Sequence, residues 1–437
     1  MQKYKVGVIS LGCDKNRVDT EKMLKILSTR HIITPDIEEA DVVVINTCAF
    51  LETSRKEAIE EIIAVSQLKS TGNLKKVIVT GCLPQKFIGD IFEGLTEADG
   101  FLGVSDYNEI NDVIDRTFLG ERVNAVGLPR GECGKERILT TKSYAYLKIA
   151  DGCSNHCTYC LIPKIRGKFR SVPLLDLIEE VKGLKDANEL ILVAQDVAKY
   201  GSDLDGDITL TTLIRELSKL DTVKKIRLLY CYPENITDQL ISEIANNDKV
   251  IKYIDIPFQH ADDKVLHRMN RKGTGDGYLA LIEKLRKNID GVAIRSTFIT
   301  GFPGETEEQF NNLLEFIKKA KLHNAGFFAY SKEEDTPAFR LDGHMPEKIK
   351  KSRQKKLYTV QKGVVKDRLK GMVGKTFDVV VDGFSNEYLA YEGRTYQSAP
   401  DMDGKVYFFS TEELFVGEEV QVKITDYKDY DLFGEQV

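Results

Sequence analysis

Ala150-Asp-Gly-Cys-Ser-Asn-His-Cys-Thr-Tyr-Cys-Leu-Ile-Pro-Lys-Ile-Arg-Gly167 follows directly on an apolar run, Tyr144–Ile149. Cys153, Cys157 and Cys160 lie within it, separated by three and then two residues. Soft thiolates this close suit an iron–sulfur cluster. A [4Fe–4S] cube has one more iron than this loop has thiols, so one iron is left open to another ligand. A structural zinc loop is the alternative. Zinc would want a fourth Cys or His nearby, and His156 lies between two of the ligands, where a tight loop would aim it elsewhere. An apolar run that passes straight into such a loop reads as the first strand of an α/β unit, with its chemistry at the strand's C-terminal end.

Downstream, further apolar strands are predicted at 189–194, 225–230, 253–257, 292–300 and 326–331, with helical segments between them such as 174–184 and 309–321. Six βα repeats are too few for a closed eight-stranded barrel, so an open six-stranded partial barrel is expected. Residues just past the strand ends then become binding candidates: Gln195 and Asp196, Gln259 and His260, and the stretch Arg295-Ser-Thr-Phe-Ile-Thr-Gly-Phe-Pro-Gly-Glu305, which contains Gly301. Alone, that stretch is a strand entering an ordinary turn. Cys231 has no thiol neighbours in sequence and reads as a small buried apolar residue.

Upstream, buried strands at 4–12, 41–47 and 76–81 alternate with helices, the clearest being 52–69 with Ala58, Ile59, Ile62 and Ile63 at helical spacing. Such alternation implies a doubly wound parallel sheet, which gathers the residues after each strand at one edge. Cys13, Cys48 and Cys82 each stand at such a position. Three structural cysteines remain the plainer alternative, but topology brings these thiols together, and a second cluster with one open iron fits them. Phe101–Val104 continues this domain, which is expected to loosen toward a glycine-rich linker at 131–137. Cys133 within it reads as a bystander.

The chain has 437 residues, 42% hydrophobic and 30% charged, enough for two or three globular domains. No 18-residue apolar stretch and no secretion signal are evident, so a cytoplasmic protein with no membrane association is expected, its eight cysteines serving metal or catalysis rather than disulfides. A long helix is predicted over 346–370, with Leu357, Val360, Val364 and Leu369 on one face and a lysine-rich start. Residues 371–437 switch to short β-rich runs at 376–381, 405–409 and 419–424, which suggest a small antiparallel barrel. This last part carries 14 acidic and 5 basic residues, a formal −9. A module that grips RNA phosphates should be basic, so direct nucleic-acid binding is not expected and a basic protein partner is.

The three-two cysteine spacing resembles the cluster loop of the radical S-adenosylmethionine enzymes. Together the three parts resemble the methylthiotransferase family over essentially the whole chain, with domains expected at 1–136, 137–370 and 371–437, the last similar to a TRAM domain. The resemblance implies two [4Fe–4S] clusters and S-adenosylmethionine as cofactors. Cys153, Cys157 and Cys160 match the radical-cluster ligands, and Cys13, Cys48 and Cys82 the auxiliary ones. It further implies cofactor contacts from Gln195 and Asp196 on the methionine side and from Gln259, Arg295 and Gly301 elsewhere, with no catalytic side chain beyond the cluster ligands. In the family, a 5′-deoxyadenosyl radical abstracts hydrogen from an unactivated carbon, and methylated sulfur at the auxiliary cluster is then delivered as a thiomethyl group. The context Ser10-Leu-Gly-Cys-Asp-Lys-Asn16, followed by Val18-Asp19, resembles the branch acting on the β-carbon of an aspartate in small-subunit ribosomal protein S-twelve. The tRNA branch, acting on an adenosine beside the anticodon, is the alternative, and a non-catalytic iron–sulfur carrier is a third. An electron donor such as flavodoxin or ferredoxin is expected as a further partner.

Overall fold

The first sheet is built from β-branched runs too apolar to leave either face in water. In Val42–Thr47 all six residues are buried, as a central parallel strand covered on both sides requires. The strands are β1 (Lys5–Ser10), β2 (Ile32–Ile33), β3 (Val42–Thr47), β4 (Lys76–Gly81), β5 (Gly100–Leu102) and β6 (Val123–Ala125), all parallel, in the order β2-β1-β3-β4-β5-β6. The computed structural model describes residues 2–130, 135–184 and 188–437, so Cys133 lies outside the described residues.

Separate apolar cores cover the two faces of this sheet. The helix Glu52–Ser66 buries Ala58, Ile62 and Val65, while Ile63, expected on the buried face, is 40% exposed. The domain does not loosen after Val104: the helix Ile110–Phe118 buries Ile110, Val113 and Ile114, and β6 extends the sheet. A strand of three residues carries too little pattern to be read in advance. The expected linker also ends sooner, because Arg137 is buried between Glu21 (2.7 Å) and Glu180 (3.1 Å).

The second sheet is formed by β7 (Tyr144–Lys148), β10 (Glu189–Val193), β11 (Lys225–Leu228), β12 (Val250–Asp255), β13 (Ala293–Thr300) and β14 (Asn324–Ala329). All are parallel, in the order β14-β13-β12-β11-β10-β7, an open six-stranded arrangement with helices packed on its outer face. Between β7 and β10, β8 (Ala150–Asp151) and β9 (Arg170–Ser171) pair antiparallel and pinch the cysteine loop between them. Cys231 is fully buried in the outer core.

Residues 376–436 close a five-stranded barrel from β15 (Thr376–Ser385), β16 (Ala390–Arg394), β17 (Val406–Phe409), β18 (Glu419–Lys428) and β19 (Asp431–Gln436). The β17–β19 pair is parallel and the others are antiparallel. The helix Glu347–Lys370 joins this barrel to the second sheet; it buries Leu357, Gln361, Val365 and Leu369, a face one residue removed from the expected Val364. Among the described residues no helix is long and apolar enough to cross a membrane.

The concave face of the open sheet carries side chains that a lone partial barrel could not bury. Glu189 pairs with Arg227 and, at 2.8 Å, with Arg394 of the C-terminal barrel. Tyr253 donates to Asp403 at 2.7 Å. Near the strand ends, Val18 of the helix Asp14–Ser28 joins Tyr146, Ile191, Val193 and Leu229 in one cluster, to which Ala399 also belongs. Both flanking domains therefore line the inside of the central one. Asp401 and Asp403 are engaged by Arg17 and Arg295 of the other two domains, so the uncompensated charge of the C-terminal domain is smaller than its formal −9.

Candidate iron–sulfur and cofactor site

Each thiol of the first set sits where a parallel strand gives way to a loop or helix. Cys13 precedes the helix Asp14–Ser28, Cys48 follows β3, and Cys82 begins the helix that follows β4. Gly12 has φ +94°, and a Cβ there would come within 2.6 Å of the Cys48 Cβ, so the glycine lets the loops carrying Cys13 and Cys48 touch. The side chain of Asn16 ties the group together. Its Nδ2 donates to the Leu11 and Thr47 carbonyls at 3.0 and 3.1 Å, and the Cys13 and Cys82 thiols each approach its Oδ1 at 3.9 Å. Burial pushes the Cys82 thiol up to about 12, with the nearby Arg166 guanidinium pulling the other way, and burial likewise raises Cys48.

The second set rides on a loop fastened at several points. The Cys153 N–H donates to the Gly167 carbonyl (3.1 Å), that of Cys160 to the Cys157 carbonyl (3.1 Å) and that of Ile162 to the Cys160 sulfur (3.4 Å). Thr158 Oγ1 donates to the Arg268 carbonyl at 2.8 Å, and Asn270 Nδ2 to that of His156 at 3.0 Å. Gly152 has φ +74°, and a Cβ there would meet the Lys168 carbonyl at 2.2 Å, which fixes where the loop begins. His156 is exposed, with φ +52°. Among the described residues no three His, Cys, Asp or Glu side chains close around one metal ion. A cube puts each thiolate on a different iron, so its ligands stand further apart than those of a single zinc.

Arg166, six residues past Cys160, joins the second set's loop to the first thiol set. It is buried, with Nη1 at 3.1 Å from both carboxylate oxygens of Asp151. Its Nη2 lies 2.7 Å from Asn16 Oδ1, 3.0 Å from Asp19 Oδ2 and 3.9 Å from Cys82 Sγ. Lys148, at the end of β7, pairs with Asp19 and lies 3.8 Å from Asp151. Two buried cations thus face two buried carboxylates, as burial demands. Asp151 is held well below the usual carboxylate range, because Arg166 and Lys148 outweigh the upward push of burial. Reading the sequence for sites misses Asn16, Asp19, Lys148 and Arg166. The available signal is Asn16 and Asp19 at helical spacing behind Cys13, and a basic residue closing the cysteine loop.

The expected cofactor contacts divide. Gln195 donates from Nε2 to Asp151 (3.1 Å), and its Oε1 is buried without a partner, an acceptor available to an ammonium group. Asp196 is fully buried and already accepts from Asn155 (3.1 Å), Asn235 (2.8 Å) and the Tyr232 N–H (3.4 Å), so it orders the site rather than offering free lone pairs. Gln259, with φ +70°, pairs through its backbone with Thr297 and Ile299 and leaves its amide side chain half-buried. Arg295 departs from expectation: its guanidinium is committed to Asp255 (3.0 Å) and to Asp403 of the C-terminal domain (3.2 Å). At Gly301, with φ +73°, the space a Cβ would need is filled by Lys350 at 2.4 Å, so the glycine lets the long helix approach.

An open parallel α/β sheet with a three-thiol loop at the end of its first strand defines a radical S-adenosylmethionine enzyme. Residues 147–317 match the Radical SAM superfamily, 5–103 the Uncharacterized protein family UPF0004, and 373–437 the TRAM domain. Solved structures agree in fold. A radical S-adenosylmethionine methyltransferase, TsrM, from Kitasatospora setae, with cobalamin and a [4Fe–4S] cluster bound, has a TM-score of 0.56 at 13% identity over 77% of each chain. A cobalamin-dependent S-adenosylmethionine radical enzyme, OxsB, has 0.52 at 11% identity over 82% of this chain and 58% of its own. The chain is also 47% identical to the ribosomal protein uS12 methylthiotransferase RimO of Clostridium botulinum (strain Eklund 17B / Type B), over 99% of its length and 98% of the relative's. It is 45% identical to that of Clostridium tetani, with the same coverage. The chain belongs to the RimO family of radical S-adenosylmethionine methylthiotransferases.

Proposed function

We propose that the chain transfers a methylthio group to the β-carbon of an aspartate in ribosomal protein uS12. In this reading residues 1–136 hold an auxiliary [4Fe–4S] cluster through Cys13, Cys48 and Cys82, and residues 137–370 hold the radical cluster through Cys153, Cys157 and Cys160. Residues 371–437 form the TRAM domain. The observation that carries it is one buried network, Asn16–Arg166–Asp151–Gln195, which ties Cys13 and Cys82 of the first thiol set to the loop that carries the second. The clusters and S-adenosylmethionine supply radical generation and sulfur donation when bound.

The chain's own part is to bind and orient. Six thiols serve as ligands once deprotonated, and burial of Cys48 and Cys82 means that metal loading releases protons there. Gln195 Oε1 offers an acceptor for the cofactor's amino group, and Asp196 holds Asn155 of the cysteine loop and Asn235 in place. Tyr230, half-buried against the helix Asp14–Ser28 with its hydroxyl 3.5 Å from Asp14 and its ring 3.3 Å from Lys15 Nζ, helps to keep water from the first thiol set. Acidic side chains left exposed on the C-terminal barrel, Glu412, Glu413, Glu418 and Asp426 among them, suit a basic protein partner.

Incubating reconstituted enzyme, S-adenosylmethionine and a reductant with uS12, and separately with tRNA, tests the assignment. One methylthio group on a uS12 aspartate is expected by mass spectrometry, and a thiomethylated nucleoside with unmodified uS12 would contradict it. Gly12→Ala is a second test: strain at φ +94° and collision with Cys48 are expected to displace that thiol. The variant should take up only one cluster's iron, yet still form 5′-deoxyadenosine.

A further inference from the structure

We propose that Arg166 is a positioning residue that locks the auxiliary thiols to the loop carrying Cys153, Cys157 and Cys160 and supplies a fixed positive charge beside Cys82. The inference rests on the two-cluster reading and adds a residue to it.

The placement is specific. Arg166 leaves the chain six residues after Cys160 and is buried within the central domain's cysteine loop. Its guanidinium nevertheless reaches the N-terminal domain, contacting Asn16 (2.7 Å), Asp19 (3.0 Å) and Cys82 Sγ (3.9 Å). The other arm is held by Asp151, which also receives Gln195 from the second strand end. Asn16 Oδ1 is the common point where Arg166, Cys13 and Cys82 meet. Only a planar fork can make these contacts at once; a lysine at the same place presents a single point charge.

The charge matters as much as the geometry. Near Arg166 stand Asp19, Asp151 and Lys148, which sum to −1 and which Arg166 brings to zero, together with the three thiols. When those thiols ligate iron they become anionic, and Arg166 is the cation in direct contact with one of them. It should hold the auxiliary cluster's iron against release and raise the potential at which that cluster accepts an electron. A residue that only filled space would do neither.

The test compares anaerobically reconstituted wild type, Arg166→Gln and Arg166→Lys, following iron release to a chelator and the midpoint potential of the auxiliary signal by electron paramagnetic resonance. Arg166→Gln is expected to release auxiliary iron about tenfold faster, the effect of removing one charge-assisted hydrogen bond, and to shift its potential negative. Arg166→Lys should restore the potential, since the charge returns, but only part of the retention, since the fork does not. Because Arg166→Gln leaves Asp19 and Asp151 under-compensated, the double variant Arg166→Gln with Asp19→Asn removes one charge of each sign and should show the same faster release. Wild-type release rate and potential in both Gln variants would overturn the assignment. A wild-type chain that binds a single cluster's iron would instead refute the two-cluster reading, and the role of Arg166 with it.

Discussion

Replacing Cys153, Cys157 or Cys160 by alanine is expected to abolish formation of 5′-deoxyadenosine from S-adenosylmethionine, whereas replacing Cys13, Cys48 or Cys82 spares cleavage and stops thiomethyl transfer. The asymmetry follows from where the thiols lie. Cys153, Cys157 and Cys160 share one short loop, closed on itself at Gly167 and fastened through Thr158 and His156 to residues 268 and 270, at the end of the helix Asp263–Arg268. No other cysteine in the described residues can stand in for one of them, because Cys231 is buried in the outer core and the auxiliary set belongs to another domain. Cys13, Cys48 and Cys82 lie at the edge of the first sheet, and their loss leaves that loop and the neighbouring Gln195 intact. Liquid chromatography of 5′-deoxyadenosine, run beside mass spectrometry of uS12, separates the two outcomes. Equal loss of cleavage in both sets would break the division of labour.

The second large effect is on stability. Glu189→Gln is expected to destabilise the central domain by about 3 to 5 kcal/mol, because it strips buried Arg227 of its charged partner and leaves buried Arg394 with Asp382 alone. Burial alone would raise the Glu189 carboxyl, yet those two cations hold it at about 2, against 4.5 for an unperturbed glutamate. A folded-state value below the unfolded one means that ionised Glu189 stabilises the fold at neutral pH, by about 3 kcal/mol. That contribution is fully present above about pH 4.5 and is lost as the pH falls toward 2. The variant should therefore show a lower urea midpoint at pH 7 and a shallower acid-induced loss than the wild type. Since Arg394 belongs to the C-terminal barrel, the variant should also loosen that barrel's docking, detectable as faster proteolysis near residues 371–376. An unchanged midpoint would mean that the buried triad contributes nothing net.

How much of this was legible in the sequence depends on range. The cysteine loop was readable because its three thiols are local, and the first thiol triplet because strand ends in a parallel sheet converge by topology. The six-stranded open barrel followed from counting βα repeats. What could not be read were contacts between domains. Arg295 looked like a cofactor residue because it opens a glycine-containing strand, but nothing in its neighbourhood announces Asp403, more than a hundred residues away. Gly301 likewise gave no sign that Lys350 of the long helix fills the space beside it. The −9 of the C-terminal domain overstated its free charge because Asp401 and Asp403 are paired with arginines of the other two domains. Val364 was favoured over Val365 because one residue separates the two faces of a helix whose remaining pattern is largely charged.

The most direct measurement is iron and sulfide analysis with Mössbauer spectroscopy on anaerobically reconstituted chain, repeated on the variant with Cys13, Cys48 and Cys82 all replaced by alanine. Two [4Fe–4S] clusters per wild-type chain are expected, falling to one in the triple variant, with the remaining cluster still perturbed by S-adenosylmethionine. A wild-type chain holding one cluster, or a triple variant that keeps both, would contradict the assignment of two thiol sets to two clusters.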